Sequence, residues 1–507
     1  MYERIGIIGS GAMGRGIAQL FATAGREVKL YDSRVEAIGQ ALEFNEKLLR
    51  RSLEKGKLTQ DQFDAIMGRM RAASRLEDLA DCDLVIEAIV ENLDAKQTLF
   101  RNLEAILPAD AVLATNTSSL SVTKIASGCQ RPERVAGFHF FNPVPLMKIV
   151  EVVRATRTDP AIIDKLCKLA EQAGHFPAVT PDTPGFLVNH AGRAYGTEAL
   201  RIQSEGIASV EQVDRILRDM AGFRMGPFEL FDLTGLDVSH AVMESIFGQF
   251  YDDPRYTPSY LAAQRVAAGL LGRKSDGLGF YRYEDGKQAT PEDPAPVPVE
   301  IDRPFWLDSQ ETGLRAKVQA LLEKAGATLE SDPQPSDEAI CLITPLGYDA
   351  SSVIADKGLP PERTLALETL GHFDKRRVLM RQPALQPALE AQARWALGID
   401  GVPVEVINDS PGFIVQRIIA SIVNLGCEIA QRGIAAPATI DRAIQLALGY
   451  PKGPLAFGEH YGTRNVLNIL QGMQHCYEEP RYRPSPWLRR RVQLNLSLHQ
   501  PDQVESA

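Results

Sequence analysis

The chain has 507 residues, 44% of them hydrophobic and 24% charged, with a formal net charge of -10 at pH 7. That length exceeds one ordinary core and implies several domains, while the composition excludes bulk disorder and a fibrous architecture. The acidic balance argues against a nucleic-acid partner, no apolar run is long enough to span a bilayer, and the six cysteines are scattered without metal-ligand spacing. The opening MYERIGIIGSGAMG has neither signal-peptide nor transit-peptide character, so no membrane association, no metal and a cytoplasmic location are expected.

Strand-like runs alternate with helical patterns from the start: Arg4–Ile8, Val28–Asp32, Asp83–Val90, Ala111–Asn116, Arg134–Phe141 and Lys148–Val153. This alternation predicts an α/β Rossmann domain over residues 1–181, with a doubly wound, mostly parallel sheet. Gly9-Ser10-Gly11-Ala12-Met13-Gly14 follows the first strand and opens a helix, and Asp32 ends the second strand. A lone GxGxxG often marks only a tight turn. Here the strand, the helix and the acidic residue are all in place, and the pattern predicts a dinucleotide site: glycines let the backbone approach a pyrophosphate, and the carboxylate bonds a ribose. Asp32 would repel a 2'-phosphate, which favours NAD over NADP, a preference that Arg34 softens slightly.

Two later strands carry ionisable residues where apolar ones belong, His139 in Arg134–Phe141 and Glu151 in Lys148–Val153. Buried polar groups need partners, and on neighbouring strands the simplest partner of each is the other. A carboxylate beside an imidazole orients the ring and fixes its tautomer, which makes the pair a candidate general base for oxidising an alcohol. Taken alone, a packed histidine and an edge-strand glutamate fit the same pattern.

Residues 182–285 read as an all-α domain, and the proline-rich stretch within 286–305 reads as a linker. Residues 306–403 alternate again as a small α/β unit, a remnant with no glycine-rich loop. Over residues 404–500 a repeat appears: DTPGFLV at Asp182 returns as DSPGFIV at Asp409, displaced by 409 - 182 = 227 residues. The register holds at Gly206-Ile207-Ala208 with Gly433-Ile434-Ala435, at Asp214-Arg215 with Asp441-Arg442, and at Gly226-Pro227 with Gly453-Pro454. A second copy of the helical domain is therefore expected, packed as an internal pseudo-dimer or within a homo-oligomer. Aligning Val378 with Val135 puts Gln382 at the place of His139, and Gln416 matches Asn189, so the second half is expected to be catalytically silent.

Taken in order, GSGAMG, EAIVEN, ATNTSSL, GFHFFNPVPLMKIVEV, DTPGFLVN and MGPFEL resemble the signature segments of the 3-hydroxyacyl-CoA dehydrogenase family, from about residue 4 to residue 283. The repeat extends the likeness to the duplicated long form, similar to bacterial phenylacetate-pathway enzymes that act on 3-hydroxyadipyl-CoA. The resemblance implies reversible, NAD-dependent oxidation of an L-3-hydroxyacyl-CoA to a 3-ketoacyl-CoA in phenylacetate or fatty acid degradation, with 3-hydroxyadipyl-CoA or 3-hydroxybutyryl-CoA as substrate. It implies catalytic roles for His139, Glu151, Ser118 and Asn189. Cofactor contacts are implied at Glu91, Lys96, Asn116, Ser118, Asn142 and Lys274, beside Gly9, Gly11, Met13, Gly14 and Asp32. Substrate contacts are implied at Ser118, Asn142 and Asn189. Lys55 would hold coenzyme A amid Arg50, Arg51 and Lys57, with Leu48 where the family has a serine. Without the likeness, Thr115–Ser119 reads as a polar loop, Asn189 as a helix cap, and the lysines as solvated surface charges. A dehydrogenase of another small hydroxy acid or a sugar, and a non-catalytic NAD-binding structural protein, are the rival readings.

Overall fold

Along the first strands apolar side chains alternate sides, Ile5 and Ile7 entering one core and Ile8 another, so each strand is covered on both faces. In the computed structural model, which describes residues 2–273, 277–289, 293, 297–309 and 311–502, these strands form an eight-stranded sheet. They are β1 (Arg4–Ile8), β2 (Glu27–Tyr31), β3 (Met70–Ala72), β4 (Leu84–Glu87), β5 (Val112–Thr115), β6 (Val135–Phe140), β7 (Ile149–Arg154) and β8 (Phe176–Pro181). Their order is β3-β2-β1-β4-β5-β6-β7-β8, parallel throughout except for the antiparallel pair β6–β7. The chain reverses direction across the sheet between β1 and β4, and ligands of such sheets bind at the carboxyl ends of the strands beside that switch.

This sheet belongs to a unit made of residues 1–190 together with 433–448. Within it the helix Pro437–Leu448, which lies in the second helical copy, packs against β7 and β8.

The other unit holds residues 191–432 and 449–507. The antiparallel strands β9 (Arg282–Glu284) and β10 (Lys287–Ala289) form a hairpin, the second strand falling inside the stretch read as a linker. Residues 290–292 and 294–296 of that stretch lie outside the described residues. Beyond it come β11 (Phe305–Asp308), β12 (Ile340–Ile343), β13 (Thr364–Leu367), β14 (Arg377–Arg381) and β15 (Val404–Asn408), a five-stranded sheet in that order. The two helical copies meet along the helices Arg193–Ser204 and Val415–Gln431, where the fully buried Arg417 donates to Glu198 at 3.0 Å and to Glu205 at 2.8 Å.

The small sheet corrects one expectation. Strands β12 to β15 pair parallel, antiparallel, parallel, as β5 to β8 do. In β6–β7, Gly137 pairs with Val153 and His139 with Glu151; in β13–β14, Ala366 pairs with Met380, and two residues further on the Glu368 N–H donates to the Val378 carbonyl. The counterpart of His139 is therefore Glu368, not Gln382, and the counterpart of Glu151 is Val378. Arg377–Arg381 is the second strand of the antiparallel pair rather than the first. Both are short apolar runs, which periodicity cannot rank, but Pro-Glu-Arg stands before each first strand, at Pro132 and at Pro361.

Glu368 is completely buried; Oε1 accepts from the Leu370 N–H and the Gln416 amide, both at 2.9 Å, while Oε2 is sealed without a partner. Burial pushes this carboxyl up to about 7. The unfolded chain releases that proton near the ordinary carboxylate value, so the group costs stability progressively as pH rises from about 4.3 to 7 and uniformly above that. Glu368→Gln should therefore match wild type near pH 4 and exceed it at pH 8 by on the order of 2–3 kcal/mol. Urea titrations at both pH values check this, and an equal offset at both would point to packing rather than protonation.

Candidate active site

The glycine loop closes on itself before any ligand arrives. Gly9 sits at φ 96°, and a Cβ on Gly14 would lie 1.7 Å from the Gly9 carbonyl oxygen, so neither position tolerates a side chain in this turn. Gly11 faces open space and precedes the helix Ala12–Thr23 with no side chain capping its N–H groups, which leaves those donors for an anion. Met13 instead packs on the apolar core.

Asp32 accepts from the Ser10 N–H at 2.8 Å, the Ser10 hydroxyl at 2.7 Å and the Arg34 N–H at 3.0 Å. Burial works to raise its carboxyl, but these bonds outweigh it and hold the group below the usual carboxylate range. Asp32 lines a cavity of about 580 Å³ together with Gly9, Gly11, Tyr31, Arg34 and Ile89. A glycine turn, free helix N–H groups and an ionised acid beside one cavity fit NAD.

At the ends of β4 and β5, Glu91 gathers the loop that follows Asn116. It accepts from the Thr117 hydroxyl at 2.6 Å, the Ser118 and Ser119 N–H groups at 3.0 Å each, and the Ser119 hydroxyl at 2.9 Å. Burial opposes its ionisation, yet the Lys96 charge and these bonds keep it below its ordinary value. Lys96 is 1% exposed and bridges Glu87 at 2.6 Å and Glu91 at 3.3 Å, so it braces the loop from inside rather than reaching outward. Glu87, which sequence reasoning passed over as part of an apolar run, also accepts from Thr115 at 2.8 Å. Asn116 ties β5 to β6 by accepting from the Phe140 N–H at 2.8 Å.

His139 and Glu151 face each other across the antiparallel pair, Nδ1 lying 2.6 Å from Oε2. An ionised carboxylate only accepts, so Nδ1 carries the proton and Nε2 keeps its lone pair. The other oxygen of Glu151 accepts from the Leu187 and Val188 N–H groups at 2.9 and 2.7 Å, which fixes the carboxylate and starts the helix Val188–Ala191. The rings of Phe141 and Phe186 stand 4.6 and 5.9 Å from the imidazole. The next residue of that helix, Asn189, donates to the Ser118 carbonyl at 3.4 Å, bringing a third and a fourth candidate together.

Asn142 is exposed just before Pro143, and Lys55 is exposed at the end of the helix Val35–Glu54. Near Lys55 a cavity of 460 Å³ is lined by Ser52, Lys57 and Lys148, residues the sequence alone did not bring together. Lys274 lies outside the described residues.

Comparison with known proteins places these features in one family. Residues 4–183 match the family described as "3-hydroxyacyl-CoA dehydrogenase, NAD binding domain", and residues 185–283 and 412–501 match "3-hydroxyacyl-CoA dehydrogenase, C-terminal domain". The chain is 37% identical to the "3-hydroxyadipyl-CoA dehydrogenase" of Escherichia coli K12, over 97% of this chain and 98% of that protein. It is 42% identical to the "Probable 3-hydroxybutyryl-CoA dehydrogenase" of Deinococcus radiodurans, over 55% of this chain and the whole of that protein. Among solved structures, the crystal structure of a 3-hydroxybutyryl-CoA dehydrogenase from Escherichia coli K12 superposes with a TM-score of 0.85 at 36% identity, covering 97% of this chain and 99% of that one.

Proposed function

The chain belongs to the 3-hydroxyacyl-CoA dehydrogenase family, and on that premise we propose that it oxidises an L-3-hydroxyacyl-CoA reversibly to the 3-ketoacyl-CoA through His139, with 3-hydroxyadipyl-CoA or 3-hydroxybutyryl-CoA as substrate. The observation that carries the catalytic assignment is the buried 2.6 Å contact between His139 and Glu151. His139 takes the hydroxyl proton at Nε2, and Glu151 holds the ring and stabilises the imidazolium that forms. Bound NAD supplies the acceptor for the hydride leaving C3. Ser118 and Asn189 position the reacting oxygen, and Asn142 borders it. Lys55, Lys57 and the nearby cavity hold the coenzyme A phosphates. Phe141 and Phe186 keep water away from the base. NADH consumption with acetoacetyl-CoA tests the reading, and no turnover on any 3-ketoacyl-CoA of four to six carbons would overturn it.

Of two relatives that match nearly the whole length, one is named for 3-hydroxyadipyl-CoA and the other, a solved structure, for 3-hydroxybutyryl-CoA; the first name supports a place in phenylacetate degradation. The six cysteines are all free thiols, in keeping with a reducing cytoplasm. The second helical copy takes the part of a partner subunit. Its Arg417 seals the contact with the first copy, and its helix Pro437–Leu448 backs the strand that carries Glu151. A chain ending at Tyr283 should lose most of its turnover or aggregate; one that stays soluble and fully active would sink the pseudo-dimer.

A further inference from the structure

The loop that follows the His139 strand is wet on its outer side and held from within. Asn142, Pro143, Leu146 and Lys148 are exposed, Leu146 by 73%, so little on that side fixes them. Val144 is 1% exposed and belongs to the core. Its side chain covers Gly16 so closely that a Cβ there, in the helix Ala12–Thr23, would lie 3.0 Å from it. The Val144 carbonyl meets Nε2 of His175 at 3.0 Å, and this imidazole is itself 3% exposed. The other ring nitrogen, Nδ1, faces the Ala173 carbonyl at 3.3 Å. Both partners only accept and a neutral imidazole carries one N–H, so the shorter contact takes the hydrogen and Nε2 donates to Val144. The Phe140 ring stands across the imidazole in a T-shaped contact, centroids 6.1 Å apart, and fixes its plane.

This bond joins two segments that line one cavity, all within residues 1–190. The 460 Å³ cavity beside Lys57 takes Pro145 and Lys148 from the loop, and Gln172, Ala173 and Gly174 from the segment that leads to His175. Val144 adjoins Pro145 and His175 adjoins Gly174, so the tie lies one residue from the cavity on both segments. A second tie, from the Phe176 N–H to the Lys148 carbonyl at 2.9 Å, uses backbone alone and survives any substitution at His175. The catalytic end is anchored separately, through the Phe140 N–H and Asn116 at 2.8 Å. Losing the imidazole donor therefore releases Val144–Met147 and leaves β6, β7 and β8 paired. We infer that His175 is a positioning residue for the coenzyme A end of the substrate: by holding Val144 it fixes the loop wall of this cavity against the Gln172–Gly174 wall. This rests on the dehydrogenase reading, and on the cavity's part in it, and adds the residue that sets the cavity's shape.

The test uses the full-length protein and measures kcat and KM for acetoacetyl-CoA and NADH, with the inhibition constant of free coenzyme A. His175→Leu should raise KM for acetoacetyl-CoA and the coenzyme A inhibition constant roughly tenfold, as for one hydrogen bond lost from a buried carbonyl, with kcat and KM for NADH within about twofold. His175→Gln, similar in bulk to leucine but able to present an amide N–H near the place of Nε2, should restore most of the loss. Should His175→Leu not fold, His175→Asn, polar but too short to reach Val144, gives the same comparison with His175→Gln. A KM for acetoacetyl-CoA that the leucine or asparagine variant leaves unmoved would overturn the inference. So would a glutamine variant no better than these, or an equal loss in kcat and in NADH binding, which would make His175 a packing residue only. Wild-type enzyme that turns over no 3-ketoacyl-CoA of four to six carbons would instead overturn the dehydrogenase reading beneath it.

Discussion

On the proposed mechanism, His139→Ala should lower turnover with acetoacetyl-CoA by about a thousandfold and leave NADH binding intact. General acid–base catalysis by a positioned side chain is worth about 10²- to 10⁴-fold, and Nε2 of His139 is the group proposed to take the hydroxyl proton. The loss belongs in kcat, because the imidazole acts on a proton that moves only in the transition state. NADH binding survives because the glycine turn and Asp32 make no bond to His139. Glu151→Gln should cost less, about 10- to 100-fold, since the amide still accepts from Nδ1–H but no longer balances the imidazolium charge. Steady-state rates paired with NADH fluorescence separate the two effects. Unchanged turnover in His139→Ala would remove it from the mechanism, whereas lost NADH binding would show a collapsed domain.

Lys96→Met should destabilise the protein by about 3–5 kcal/mol, more than an exposed lysine change would. It strands Glu87, fully buried, and Glu91 without the cation that lies 2.6 and 3.3 Å from them. The second consequence is local: Glu91 organises Thr117, Ser118 and Ser119, so KM for NAD should rise in whatever fraction remains folded. Urea unfolding measures the first effect, and combining Lys96→Met with Glu87→Gln should restore part of the loss because the two residues share one contact. A loss below about 1 kcal/mol would mean that water reaches the pair and the brace is not sealed.

Much of the fold was legible because strand and helix signals alternated cleanly and the repeat at Asp409 kept its register for 46 residues, from Asp409 to Pro454. The pair His139 and Glu151 was legible for a simpler reason: each interrupts an apolar strand, and an interruption must be answered nearby. Lys96 was not. Its partner Glu87 ends a buried strand, and nothing in the local pattern distinguishes a lysine turned inward from one on a wet helix face. Gln382 was misassigned because two apolar strands in succession look alike until their pairing is seen.

The helix Pro437–Leu448 has a consequence for how the protein is made. It completes the unit whose other residues end at His190, so 432 - 190 = 242 positions must be translated in between. At about 5–20 residues per second this is a wait of roughly 12 to 50 s, during which the outer strands β7 and β8 have left the ribosome without the helix that covers them. Nascent chains should therefore need chaperone cover over that interval, and stalling ribosomes before codon 433 should leave the catalytic strand accessible to protease.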